Sequence, residues 1–152
     1  MKLSITKDID LHVGNIQRGV LNCFADPDKL RDVLGNLIDN SLKYTEKGEV
    51  EISIKKGQIK SEVEIWISDT GMGIAPEEIH KIFEKFFRAK NTAHQTGTGL
   101  GLYVCDRFVR GMGGTIWIEK SVVGKGTTFV FTVPTTPQGE CAIPTTQTSE
   151  ET

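Results

Sequence analysis

Three short segments carry the residue types best suited to chemistry. The first, NLIDNSLKYT, places Asn36, Asn40 and Lys43 at helical spacing. At about 100° per residue these three fall within about 60° of one another, while Leu30, Val33, Leu37 and Ser41 form a stripe roughly 120° away. Asn is a mediocre helix former, because its amide competes with the backbone for partners. Two of them one turn apart beside a Lys suit a ligand: the amide oxygen is a hard neutral donor for Mg²⁺, and the ammonium is a counter-charge for phosphate. A solvated helix face is the plainer explanation of the same residues.

The second segment, DTGMGI, follows an apolar run that ends at Ile67. Gly71 and Gly73 permit a tight turn and close approach of a ligand to the backbone, and Asp69 is a fixed acceptor for an exocyclic amine such as that of adenine. Alone, the segment also fits an ordinary Asx-stabilised turn. The third, GTGLGL, runs from Gly97 through Thr98, Gly99, Leu100 and Gly101 to Leu102 and opens a helical pattern. Backbone N–H groups and the positive end of a helix make an anion site without basic side chains, which suits a polyphosphate. Its GxGxG spacing, with no strand immediately before it, is not a dinucleotide fingerprint. Nor is there a P-loop, because Gly126 follows Lys125 where that motif needs Ser or Thr.

These segments need a scaffold. Leu3 to Thr6 and Val20 to Ala25 read as short strands joined by a polar stretch with Gly14 and Asn15. Asp26-Pro27 supplies an N-cap and a proline at the first helical position, and the apolar period carries a helix to about Lys43, with Gly48 as its stop. Val50, Ile52 and Ile54, then Val63, Ile65 and Ile67, alternate with polar residues as an antiparallel hairpin. Pro76 opens a short helix containing Ile79, Ile82 and Phe83. Residues 88–98 are polar and aperiodic, a lid. A second amphipathic helix with Val104, Cys105, Phe108, Val109 and Met112 ends at Gly113-Gly114, and Ile116 to Glu119 and Thr127 to Val133 are the closing strands. The expected fold is α+β: a two-layer α/β sandwich whose mixed, mostly antiparallel sheet of about five strands is covered on one face by about three helices, the other face wet. The domain spans residues 1–134, and 135–152, rich in Thr, Pro, Gln and Glu, is a polar tail expected to be disordered.

Taken in order and spacing, these segments resemble the N, G1, F and G2 boxes of the ATP-binding catalytic domain of two-component sensor histidine kinases, in the superfamily shared with gyrase, Hsp90 and MutL. The similarity spans about residues 26 to 134. It implies a Bergerat-type ATP-binding fold with ATP and Mg²⁺ as cofactors. It further implies Asn40 as the metal ligand with Asn36 its upstream partner, Lys43 and Arg88 on the phosphates, and Tyr44 against adenine. Asp69 would meet the adenine amine, with Gly71, Gly73 and Ile74 around the purine. IFEKFFRA resembles the F box, with Phe83, Phe86 and Phe87 anchoring the lid. GTGLGL resembles G2, and GKGTTFVFTVP, with Thr128 as a nucleotide contact, resembles the closing strands.

The resemblance implies γ-phosphoryl transfer from Mg·ATP to a histidine on a separate dimerisation domain, with a response regulator downstream. ATP-hydrolysing members of the superfamily carry Glu four residues before the metal-binding Asn. Here that position is Asn36, whose amide is no general base at neutral pH, so transfer is favoured over hydrolysis. A regulatory ATP-binding module without transfer and a superfamily ATPase stay open as alternatives. None of His12, His80 and His94 has the long-helix, acidic-neighbour context of the family's acceptor. The isolated domain is expected to be a monomer and the full kinase a homodimer.

The formal net charge of −2 gives no basic surplus for nucleic acid, and no apolar run is long enough for membrane insertion. Cys23, Cys105 and Cys141 lack CxxC spacing and fit reduced thiols, so the expected location is cytoplasmic, beneath a parent kinase that segments elsewhere would anchor. No catalytic set of Ser, His and Asp, and no metal cluster of His or Cys, is expected.

Overall fold

A computed structural model describes residues 7–16, 23–58, 61–90 and 99–136. The first long helix, α1 (Pro27–Lys43), begins where local chemistry dictates: the Asp26 carboxylate accepts from the Asp28 and Lys29 N–H groups, and Pro27 occupies the first turn. Its stripe of Val33, Leu37 and Ser41 is buried against the sheet. At its far end Lys7 Nζ donates to the carbonyls of Leu42 (3.2 Å) and Lys43 (2.7 Å), a cation set on the negative helix terminus.

Five strands make one mixed sheet: β1 (Asp8–Ile16), β2 (Lys47–Lys56), β3 (Glu62–Asp69), β4 (Ile116–Val122) and β5 (Gly126–Pro134), in the order β1-β2-β3-β5-β4. Only β1 runs parallel to its neighbour; every other pairing is antiparallel. The second helix, α2 (Gly101–Gly111), lies beside α1 on the same face. Val50, Ile65, Ile67, Phe129, Phe131 and Val133 from the sheet meet Val33, Leu37, Cys105 and Val109 from the helices in one core.

Several expectations change. The stretch with Gly14 and Asn15 is not a connector but part of β1. Residues 23–25 are irregular, while 1–6 and 20–22 lie outside the described residues. The strand escaped notice because it is an edge: Leu11, Val13 and Ile16 stay about half exposed and its polar content is high. Gly48 does not stop α1 but sits inside β2, where an added Cβ would lie 2.0 Å from Thr70 Oγ1. The helix expected after Pro76 is a single 3-10 turn, Ile79–Lys81, so the described residues contain two α-helices rather than about three. The far side of the sheet is not uniformly wet either. Val130 is fully buried there because Trp66 and Trp117, its cross-strand partners, flank it. Residues 91–98 of the expected lid and 137–152 of the expected tail lie outside the described residues.

Candidate functional site

The loop after β3 is stitched to both neighbouring elements. Asp69 Oδ1 accepts the N–H of Gly71 (2.9 Å) and of Thr127 (3.2 Å), the second from β5. The Met72 N–H reaches the Tyr44 carbonyl at the end of α1, and the Met72 carbonyl accepts the Gly124 N–H. Gly71 is required by this closeness: a Cβ there would stand 2.4 Å from the Tyr44 carbonyl oxygen and 2.7 Å from Thr45 Oγ1. Gly73 has φ +70°, and its Cβ would meet the Val122 carbonyl at 2.2 Å.

The result is a cavity of about 240 Å³ between α1, the Asp69 loop, the start of α2 and β5. Apolar groups from Met72, Ile74, Ile82, Phe87, Leu102 and Phe129 make its walls, and polar groups from Asn40, Ser41, Lys43, Asp69, Arg88 and Thr127 converge on it. Phe83 supports the wall from behind, its ring edge-on to Phe129 at 6.4 Å. Lys43 Nζ lies 5.2 Å from the centre of the Tyr44 ring, so a cation and an aromatic face border the cavity together. The opening turn of α2 has no side-chain cap, which leaves its N–H groups for an anion.

Burial raises the pKa of Asp69 above its ordinary value of 3.8, while the two backbone N–H bonds and the neighbouring Ser41 hydroxyl oppose that shift. Ser41 Oγ lies beside this carboxylate without closing a hydrogen bond, and it and Thr45 Oγ1 are buried hydroxyls with no protein partner. Unmet polar atoms of this kind beside a carboxylate mark a place for water or a ligand's polar edge.

Of the residues predicted from sequence as nucleotide or metal contacts, Asn40, Lys43, Tyr44, Asp69, Gly73, Ile74, Arg88, Gly99, Gly101 and Leu102 border the cavity, as does Phe87 of the expected lid anchor. Gly71 acts one step behind, as a donor to Asp69. Neither Asn36 nor Leu100 borders it; the Asn36 side chain instead bears on the Cys105 thiol, whose pKa burial pushes up to about 12. Thr128 faces away, its hydroxyl paired with Ser68 at 2.9 Å, and the threonine on the cavity is Thr127. Gly97, Thr98 and His94 lie outside the described residues. His80 is exposed on the 3-10 turn, and His12 is on β1, away from the cavity.

Sequence reasoning missed Ser41, Met72, Thr127 and Phe129. A polar residue in an otherwise apolar helical stripe was the available signal for Ser41; the others are chosen by strand phase and loop path. It also missed the buried Glu78, whose Oε1 accepts the Lys90 N–H at 3.0 Å and ties down the chain after the aromatic cluster. Phe86 sits in that cluster with φ +64°, its N–H on the Gly99 carbonyl at 3.0 Å and its ring exposed.

Residues 25–137 match the family model described as histidine kinase-, DNA gyrase B- and HSP90-like ATPase. The sensor protein SrrB of Staphylococcus aureus is 44% identical over 111 residues, covering 72% of this chain and 19% of SrrB. This chain thus spans about a fifth of the length of that relative. Among solved structures, the catalytic domain of histidine kinase ThkA, nucleotide free, has a TM-score of 0.70 at 32% identity, covering 85% of this chain and 82% of that one. Full-length ShkA in complex with AMPPNP has a TM-score of 0.71 at 30% identity, covering 83% of this chain and 25% of that one.

Proposed function

The chain belongs to the histidine kinase-, DNA gyrase B- and HSP90-like ATPase family, as an ATP-binding catalytic domain of the sensor histidine kinase kind, and from that premise we propose that it binds Mg·ATP and donates the γ-phosphoryl group to a histidine on a separate dimerisation domain. The observation that carries the nucleotide assignment is Asp69. Both of its backbone hydrogen bonds fall on Oδ1, which leaves Oδ2 for a ligand in the cavity that Asp69 borders. An adenine amine donating to Oδ2 would satisfy it, and the unpartnered Ser41 hydroxyl beside it can serve a ring nitrogen directly or through water.

With the purine there, between Ile74, Ile82, Leu102 and Phe129, the phosphates lead toward Lys43, Arg88 and the uncapped start of α2. The donor set fits a magnesium ion carried by the nucleotide: a neutral amide oxygen from Asn40 next to phosphate oxygens is hard and leaves room for water. Held by Asn40, such an ion would supply neutralisation of phosphate charge. Lys43 and Arg88 hold the γ-phosphoryl in line with the incoming imidazole nitrogen. Asn36 does not accept a proton from water at neutral pH, which favours transfer to the imidazole over hydrolysis. Neither described histidine, His12 or His80, borders the cavity.

Mixing this chain with a separate histidine-bearing dimerisation domain and Mg·ATP labelled in the γ position tests the proposal. Acid-labile label on the added histidine supports it; tight binding without transfer, or release of free phosphate alone, overturns it. Among the described residues no helix is long and apolar enough to cross a membrane. The proposed setting is the cytoplasmic end of a homodimeric kinase that passes its phosphoryl group to a response regulator.

A further inference from the structure

The parallel pairing of β1 with β2 sets Asp10 opposite Glu49 and His12 opposite Glu51, away from the nucleotide cavity. One donor atom from each of Asp10, His12 and Glu49 lies within 4.8 Å of the others. His12 Nε2 is 3.2 Å from Glu51 Oε2, and Ser53 Oγ donates to Glu51 Oε1 at 3.1 Å. Glu51 occupies the space beside Gly14, where a Cβ would lie 2.5 Å from its carboxyl carbon. Glu51 can accept the Nε2 proton of a neutral imidazole, and in that tautomer the Nδ1 lone pair is left for another partner.

That Nδ1 is buried and has no hydrogen-bond partner; Asp10 Oδ2 stands 3.5 Å away. In that tautomer the Nδ1 lone pair faces the Asp10 carboxylate as acceptor to acceptor, with a Glu49 oxygen in the same cluster. The nearby Lys47 is no remedy for them, since its ammonium pairs with Asp8 at 3.6 Å.

We propose that Asp10, His12 and Glu49 bind one divalent transition-metal ion, of which Zn²⁺ is the best match, with Glu51 as the positioning partner of the imidazole. A proton on Nδ1 would satisfy one of the converging acceptors; a metal ion satisfies all three. One imidazole and two carboxylates are a donor set for zinc rather than magnesium, and a water completes four-coordination. Donors around tetrahedral zinc sit about 3.4 Å apart, so the exposed Asp10 and Glu49 side chains need to draw in by about 1 Å, within reach of small χ rotations. The hydrogen-bonded carboxylate behind the imidazole is the usual support of a metal-bound histidine. Binding would clip the edge strand β1 to β2.

The test titrates Zn²⁺ into the full 152-residue chain by calorimetry in excess Mg²⁺, with the Co²⁺ absorption spectrum as a second readout of coordination. A Cys23→Ser/Cys141→Ser background removes binding by free thiols. The expected result is one equivalent of zinc bound in that background, with a raised melting temperature, and affinity at least about tenfold lower in His12→Gln and Glu49→Gln. Unchanged binding of a fluorescent ATP analogue verifies that both variants are folded. Absence of stoichiometric binding, its loss on removing the thiols, or equal affinity in both folded variants would overturn the proposal.

Discussion

Replacing Asp69 by Asn separates the carboxylate's work for the fold from its work for the ligand. The Oδ1 atom accepts from Gly71 and Thr127, and an amide oxygen can accept both bonds in the same place, each weaker than to a carboxylate. Removing a buried charge also removes the desolvation that raises the Asp69 pKa, so the free Asp69→Asn protein should melt no lower than the parent. The ligand meets a different group. Where the carboxylate offers Oδ2 to the adenine amine, the variant offers an NH₂, and donor faces donor. Losing a hydrogen bond to a charged acceptor costs about 1.5–3 kcal/mol, or roughly a ten- to hundredfold rise in Kd. Guanine presents a carbonyl at the matching position, so GTP should lose less and the preference for ATP should narrow. Calorimetric titration with ATP and GTP, beside a thermal melt, reads all three effects. Unchanged ATP affinity in a protein of unchanged melting temperature would refute the adenine contact.

The same carboxylate predicts a pH dependence: the free protein's Asp69 pKa is raised, so ATP affinity is full above that value and falls as pH drops through it, beginning above 3.8; calorimetry across the acid range should find the slope in the parent and its absence in Asp69→Asn. Gly73→Ala combines φ +70° with a Cβ placed 2.2 Å from the Val122 carbonyl, and should cost about 1–3 kcal/mol of stability in a urea titration while weakening ATP binding. Leu37→Ala, at a fully buried position, should cost about 2–5 kcal/mol by the same measurement. With its pKa near 12 and its side chain buried, Cys105 should resist iodoacetamide in the native protein while exposed Cys23 reacts, and peptide mass mapping should find Cys105 labelled only after denaturation.

Much of this protein was decided between neighbours along the chain, and that part is legible without a structure. Asp26, Pro27 and the apolar period define α1 because capping and helical facing act within a turn or two. The segments around Asn40, Asp69 and Gly99 suggest a ligand because their donors and glycines lie within a few residues of each other, and ten of the residues predicted as its contacts line one cavity. The tertiary structure alone decided what depends on pairing at a distance. Composition hid the edge strand β1, which is held mainly by its ladder to β2. Strand phase selects Thr127 over Thr128, since adjacent residues face opposite sides of the sheet. His12 and Glu51 are 39 residues apart, and only the parallel register makes them a hydrogen-bonded pair with Asp10 and Glu49 alongside. Local sequence sets which residues can cap, turn and face one way; which distant chemistry meets is set by the free energy of the whole packed sheet, a property of no single segment.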